Sequence, residues 1–338
     1  MSAKSRLLQA AAAALYATGA MPTVSRLAGR VRGAGTFQIL TYHRVNDDRD
    51  PFFPSLPTSV FERQAAYIAR TSTVLTVEAL VDRARRGRLP SNAVALTFDD
   101  GYRDNLTHAA PILARLGLPA TIFLATGVIG TGRFLWFDWL ALAIRDSDAA
   151  SVHTPWGVTL SLANTEARLA ALDACLARLK RLPATEFERH LDTLLQSLDG
   201  GEVSRLKNVM LDWDAVHALS GLGVSIGAHT VSHPILSRLA PEKAEREIIE
   251  SRSRITEMTG VPPRVFAYPN GAAEDYTPTV TRLVREAGFG CAVTTRYGLN
   301  THATPPYELR RGGPWERDLP TFALKLAASR LLRGEAAR

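Results

Sequence analysis

Two cysteines in 338 residues, Cys175 and Cys291, are too few for a disulfide framework, and they sit in dissimilar contexts, one helical and one strand-like. They read as two buried thiols, so nothing in the chain demands an oxidising compartment. Long apolar runs are also missing. The Ala-rich stretch behind Lys4 and Arg6 is interrupted by Gly19, Pro22 and Ser25, short of the ~20 apolar residues that a membrane span needs. No aromatic side chains interleave with the basic clusters Arg83, Arg85, Arg86, Arg88 and Arg30, Arg32. The formal net charge of +7 therefore reads as a solvated face or a weak attraction to anionic polymers or membranes; nucleic-acid binding is the weaker reading, and no nucleic-acid partner is expected. Internal repeats and low-complexity segments are absent after residue 35.

The N-terminal stretch has two readings. It is a helix lying on the domain or on a membrane surface, or it is a signal segment cleaved near Thr18-Gly19-Ala20. The first makes the protein cytoplasmic or peripheral to a membrane through residues 1–35. The second exports it by means of residues 1–20.

What the chain does have is material for a core, with 46% hydrophobic and 22% charged residues, the proportions of a globular protein. Beyond residue 35, strand-like runs at 37–42, 74–75, 93–98, 121–124, 224–227, 265–268 and 290–293 alternate with helical patterns, among them 59–71 and 241–259. Such alternation means a parallel sheet, and about seven such strands can close into a barrel. Between about 134 and 220 the rhythm lapses into helical patterns at 167–182 and 187–198, with one hairpin-like stretch near 152–160. That segment reads as a helical insertion in a barrel connection. In the pattern over 241–259, Glu247, Glu250 and Arg254 have the spacing of solvated ion pairs, which is surface chemistry. The expected organisation is an N-terminal helical or targeting segment over 1–35, a barrel domain over 36–325, and a basic tail over 326–338.

The chemistry-bearing residues all follow strands. Tyr42-His43 comes after the first, Asp99-Asp100 after the third, His229 and His233 after the fifth, and Tyr268-Pro269-Asn270-Gly271 after the sixth. In parallel α/β barrels the loops at that end converge on the active site. Adjacent buried carboxylates repel each other and resist desolvation, so a chain that keeps them has a use for both: one binds a cation and the other handles protons. Two imidazoles and one carboxylate form a facial set suited to zinc and other borderline divalent ions, the histidines meeting at a common centre if their segment is one helical turn. A metal lowers the pKa of bound water, and the second carboxylate can take the proton.

Thr97-Phe98-Asp99-Asp100-Gly101, His229-Thr230-Val231-Ser232-His233 and the Tyr-Pro-Asn-Gly turn resemble the signature motifs of NodB-type polysaccharide deacetylases, carbohydrate esterase family four. The resemblance runs from about Leu40 to Arg311 and implies an α/β fold, a distorted (β/α)7-type barrel with the helical insertion as a lineage feature. It implies that Asp99 is the general base, that Asp100, His229 and His233 hold one divalent metal ion (zinc first, with iron, nickel or cobalt as alternatives), and that the Asn270 backbone N–H stabilises the oxyanion. Ala267 stands where the family places an Arg that tethers the base, and Arg310 or Arg311 is the candidate replacement. The family's C-terminal acid motif is missing too. Leu40-Thr41-Tyr42-His43 instead resembles the N-terminal segment of the poly-N-acetylglucosamine deacetylase branch, which implies that His43 protonates the leaving amine; without the family, His43 reads equally as a structural histidine.

The function so implied is removal of N-acetyl groups from the amino sugars of a glycan substrate. A related amidohydrolase acting on small amides and a non-catalytic glycan-binding protein are the competing readings. Trp136, Phe137, Trp139 and Trp156 read as an apolar anchor for the insertion rather than as sugar-stacking platforms, and Trp213 and Trp315 face the same choice. Oligomeric state is not legible.

Overall fold

The computed structural model describes residues 3–31, 35–198, 209–313 and 316–331. Trp315, the end of the insertion over 199–208 and the last residues of the tail over 332–338 lie outside the described residues, as does Arg32 of the N-terminal basic cluster. Two helices, α1 (Ala3–Ala17) and α2 (Met21–Val31), precede β1 (Thr36–Tyr42). There follow α3 (Thr58–Thr71), β2 (Thr73–Val74), α4 (Val77–Arg85), β3 (Ala93–Phe98), a π-helical turn over Asn105–Ala109 that runs into α5 (Ala110–Arg115), and β4 (Ala120–Leu124). The excursion contains α6 (Trp136–Asp146), the hairpin of β5 (Ser151–His153) and β6 (Thr159–Ser161), α7 (Thr165–Leu179) and α8 (Ala184–Ser197). The chain then returns through α9 (Trp213–Gly221), β7 (Val224–Ala228), a 3-10 turn at Leu236–Arg238 and α10 (Pro241–Thr259). It ends with β8 (Val265–Ala267), α11 (Pro278–Glu286), β9 (Cys291–Val293), β10 (Asn300–Thr301) and α12 (Leu319–Leu331).

The main sheet has the order β10-β1-β3-β4-β7-β8-β9, with β2 beside β3. All its pairings are parallel except that of β10 with β1. β3 is buried at every position, as a parallel strand covered on both faces must be. The sheet curls until the gap between β9 and β1 is spanned by residues 309–312. Leu309 N–H donates to Ala292 O at 3.0 Å, and Gly312 N–H donates to Ile39 O at 3.1 Å. That segment completes the expected distorted barrel. Strand ends and their following loops therefore gather at one rim.

The helices form where their sequences stop and start them. Thr76 caps α4 by accepting from Ala79 N–H, and α10 begins at Pro241 and ends on Gly260 in the left-handed region at φ +72°. α10 turns Ala244, Ile248 and Ile255 inward at helical spacing.

The insertion has a core of its own, built from residues such as Leu140, Ile144, Leu172, Cys175 and Leu194. α9 does not belong to it. Val216 and Leu219 pack into the main core, so the barrel's own connecting helix closes the excursion before the expected boundary near 220. The tail expected from 326 also starts too early, because Leu326 and Ala327 are buried in α12; the apolar face of that helix continues through them. α1 and α2 lie on the domain, against α12 and α3, with Met21 in the main core and the Ser25 hydroxyl 2.6 Å from that of Tyr67. Among the described residues no helix is long and apolar enough to cross a membrane. Both cysteines are free and buried.

Candidate functional site

β3 delivers two carboxylates in opposite directions. Asp99 N–H donates to Tyr42 O at 3.0 Å, continuing the β1–β3 pairing one residue past the strand. Asp100 then turns into the left-handed region at φ +77°. Gly101 follows at φ +87°, a backbone conformation that favours glycine.

Beyond β7, His229 N–H donates to Leu124 O at 2.9 Å. The segment from His229 to His233 is not the helical turn that would have explained its spacing. Thr230 and His233 both have positive φ, +68° and +60°, and the loop is held by a side chain from α10. Glu247 accepts from Val231 N–H at 2.8 Å, Ser232 N–H at 2.9 Å and the Ser232 hydroxyl at 2.6 Å. Those amides are thus satisfied without helical hydrogen bonds. The expectation that Glu247 belongs to a solvated ion-pair face is corrected accordingly: it clamps the histidine loop.

The two imidazoles meet Asp100. Its Oδ1 is 3.6 Å from His229 Nε2 and 3.5 Å from His233 Nε2, and the three potential ligand atoms lie within 4.8 Å of one another. The Nδ1 of His229 is 2.7 Å from Ala267 O. A carbonyl only accepts, so that nitrogen carries the proton and Nε2 presents its lone pair to the cluster. Asp100 Oδ1 is buried with no hydrogen-bond partner. Burial brings His229 down to about 4, although Asp99 and the Ala267 carbonyl act in the other direction. Burial, reinforced by His229, also holds His233 well below its ordinary value. Both imidazoles are therefore neutral, the ligating form. Burial and the Asp99 charge push the Asp100 carboxyl far up, a cost that a cation reverses. An orphaned oxygen facing two neutral imidazole nitrogens is a donor set that fits a divalent cation.

Asp99 is in the opposite electrostatic state. Arg311, 1% exposed, donates from Nη1 to Asp99 Oδ1 and from Nη2 to Oδ2, both at 2.6 Å. Its Nε donates to Thr294 O at 2.9 Å, and its guanidinium lies 5.4 Å from the Phe123 ring centre. Burial alone would raise the Asp99 pKa, but the charge and hydrogen bonds of Arg311, with His229 and His43, outweigh it and hold the carboxyl well below the usual range. Of the two candidate replacements for the missing motif arginine, Arg311 is the one that reaches Asp99. Ala267 contributes its carbonyl to His229 instead.

His43 sits at the rim with its side chain 48% exposed and Nε2 3.9 Å from Asp99 Oδ2. Asn105, in the π-helical turn, donates from Nδ2 to His43 O at 2.7 Å and fixes the backbone there. Asn270 comes from the loop after β8, at the same rim, with φ +57°. Its carbonyl accepts from Thr295 Oγ1 at 2.6 Å, and its Nδ2 is buried without a hydrogen-bond partner. Gly271, at φ +71°, has no room for a Cβ against Thr295 N at 2.9 Å. Six non-glycine residues among those described have positive φ, and Asp100, Thr230, His233 and Asn270 are four of them. Backbone strain is thus concentrated at this rim, as it is at functional sites.

The insertion touches the site directly. Trp136 Nε1 donates to His233 O at 3.3 Å, and the Phe137 ring packs edge-on to the His233 imidazole at 5.2 Å. Asp138, buried beside them, accepts from the Tyr102 hydroxyl at 2.8 Å; burial brings its pKa up to about 6 against the opposing Tyr102 hydrogen bond and Arg44 charge. The aromatic run expected to anchor the insertion therefore anchors it to a ligand of the cluster. Glu247, Asp138 and Tyr102 carry no motif, and their partners lie on other elements. Glu247→Ala is expected to weaken divalent-cation affinity about 10–100-fold, measured by competition with a chromophoric chelator; unchanged affinity would remove its role as a clamp.

A family model described as polysaccharide deacetylase matches residues 86–292. The putative polysaccharide deacetylase YxkH of Bacillus subtilis strain 168 is 21% identical over 275 residues, covering 81% of this chain and 69% of that protein. The poly-β-1,6-N-acetyl-D-glucosamine N-deacetylase of Escherichia coli K12 is 37% identical over 87 residues, which amount to 25% of this chain and 13% of that protein. Among solved structures, the Streptococcus pyogenes deacetylase PplD in complex with acetate superimposes with a TM-score of 0.58 at 19% identity, covering 86% of this chain and 98% of that one.

Proposed function

Since the chain belongs to the polysaccharide deacetylase family, we propose that it hydrolyses the N-acetyl amide of amino sugars in a glycan of the exopolysaccharide type. Asp100, His229 and His233 would hold one divalent cation, with zinc the first choice for this nitrogen and oxygen donor set. A cation bound there supplies Lewis acidity, which acidifies water and polarises a carbonyl oxygen. Asp99, kept anionic by Arg311, accepts the proton of the attacking water. The Asn270 backbone N–H donates to the oxyanion of the tetrahedral intermediate. His43, on the open side of Asp99, protonates the departing amine, and acetate is released.

One observation carries this reading. Two adjacent carboxylates are held in opposite states, Asp99 clamped as an anion by a bidentate arginine and Asp100 left with an orphaned oxygen between two neutral imidazoles. A structural pair would need neither arrangement.

The test is acetate release from a panel of N-acetylated oligosaccharides by protein loaded with zinc. Treatment with a chelator is expected to abolish release and added zinc to restore it. Turnover that survives removal of all divalent cation would overturn the assignment of the cluster, and turnover confined to small amides would overturn the glycan.

A further inference from the structure

Five carboxylates are buried among the described residues, those of Asp99, Asp100, Asp104, Asp138 and Asp275. Such burial is costly unless a counter-charge goes with it, and most of these have one. Asp99 has Arg311. Asp104 has Arg44, whose Nε is 3.4 Å from its Oδ2, and Asp275 lies in the field of Lys180 and Arg238. Asp100 and Asp138 have neither arginine nor lysine paired with them among the described residues.

Asp138 stands in the first turn of α6, a place where acidic side chains often serve the free amides of their own helix. Here its Oδ2 accepts from the Tyr102 hydroxyl instead, at 2.8 Å. Tyr102 lies just beyond Asp100, in a turn that the returning end of the insertion also grips. Arg103 N–H donates to Val209 O at 2.8 Å, and Leu211 N–H donates to Gly101 O at 2.9 Å. The insertion thus carries a buried carboxylate up to the ligand turn and fixes it there. Its charge reaches Asp100, whose carboxyl is pushed up by burial first, then by Asp99 and Asp138. Arg311 and Arg44 act in the other direction, but Asp99 and Asp104 already match them. Lys180 also feels the Asp100 charge, from an exposed position where water screens it. With both imidazoles neutral, the cluster is left with two unmatched negative charges, and a divalent cation brings two positive ones.

We propose that Asp138 is the second counter-charge of the cation site: brought by the insertion and held by Tyr102, its carboxylate balances a divalent ion at Asp100, His229 and His233 from outside the ligand set. Coulomb attraction falls only with the inverse of distance and is little screened where water is excluded, so ligation is not required. The inference rests on the cation assignment of that cluster. It carries a sign that a merely structural hydrogen bond lacks. Without the ion, Asp138 and Asp100 repel each other and oppose folding; with it, both are balanced.

The experiment uses the full chain, freed of metal with a chelator and then titrated with zinc. Zinc affinity is measured by competition with a chromophoric chelator, and the thermal midpoint is measured with and without zinc. Asp138→Asn keeps the shape and still accepts from Tyr102, so only the charge goes. Its zinc affinity should fall about 10–100-fold, at high salt as well as low, because a buried charge is poorly screened. Its zinc-free midpoint should equal or exceed that of the wild type, so its zinc-induced rise is the smaller. Tyr102→Phe, which loses the hydrogen bond and keeps the charge, should cost less zinc affinity. Unchanged affinity in Asp138→Asn, a lower zinc-free midpoint, or a larger loss in Tyr102→Phe overturns the counter-charge. A wild-type protein that binds no divalent cation overturns it together with the cluster. Zinc affinity that depends on Asp138, with no acetate released from any N-acetylated oligosaccharide, supports the inference and overturns the deacetylase reading. Acetate release with zinc affinity indifferent to Asp138 does the reverse.

Discussion

Asp99→Asn protein should bind its divalent cation with unchanged stoichiometry while acetate release falls by about 10²–10⁴-fold, the usual worth of a positioned base. The amide has the shape of the carboxylate and still accepts from one arm of Arg311, but it has no basicity. The cation cluster is untouched, because Asp100, not Asp99, is grouped with His229 and His233. Asp100→Ala is the contrasting case: both cation and turnover should go, since the remaining two imidazoles leave the set incomplete. Elemental analysis of the purified variants, beside the acetate assay, separates the two outcomes. Retained cation content also reports that the Asp99→Asn site has folded. Full turnover by Asp99→Asn would remove the base assignment outright.

Arg311→Met should lower stability by about 3–5 kcal/mol, because it leaves a buried carboxylate without its counter-charge. Adding Asp99→Asn to the same protein should recover much of the loss, for then no buried charge remains. The pH dependence carries the sign. In the wild-type protein Asp99 titrates below its unfolded value, so its stabilisation is complete above about pH 3.9 and is lost only as pH falls through the depressed native value. Without Arg311 only His229 and His43 oppose the burial effect, and the native pKa is expected to lie above the unfolded one. The folded variant then binds the extra proton, so its stability falls as pH rises from about 4. Urea unfolding of both proteins across that range tests this, and a small loss independent of pH would mean that the pair contributes little.

The barrel and the meeting of Asp100 with His229 and His233 were legible because their signals are local. Strand 93–98 is a short apolar run, and the motif that closes it sits within five residues. His229 and His233 are four apart, and position at a strand end was enough to bring them to Asp100. Arg311 could be nominated only as one of two neighbours. It is 212 residues from Asp99 in sequence, and what joins them is the closure of the sheet by residues 309–312. Glu247 was misread for a related reason. Helical spacing tells which residues of α10 neighbour one another, but its three partners are on the loop after β7. The apolar, aromatic sequence of α6 concealed Asp138, whose partner Tyr102 precedes it by 36 residues. The tail boundary failed because basic residues suggested solvent, while the alternate face of α12 carries Leu326 and Ala327 into the core.

Because Arg311 sits in the segment that seals β9 to β1, the catalytic chemistry and the closure of the barrel are one event. A chain emerging during synthesis presents Asp99, Asp100 and both histidines long before residue 311 exists. Until that seam is shut, Asp99 faces burial without a partner and the neutral carboxylic acid is its stable form. With Asp99 as the base, hydrolytic competence would arrive last, and a molecule whose seam has opened would fall silent while Asp100, His229 and His233 stay together.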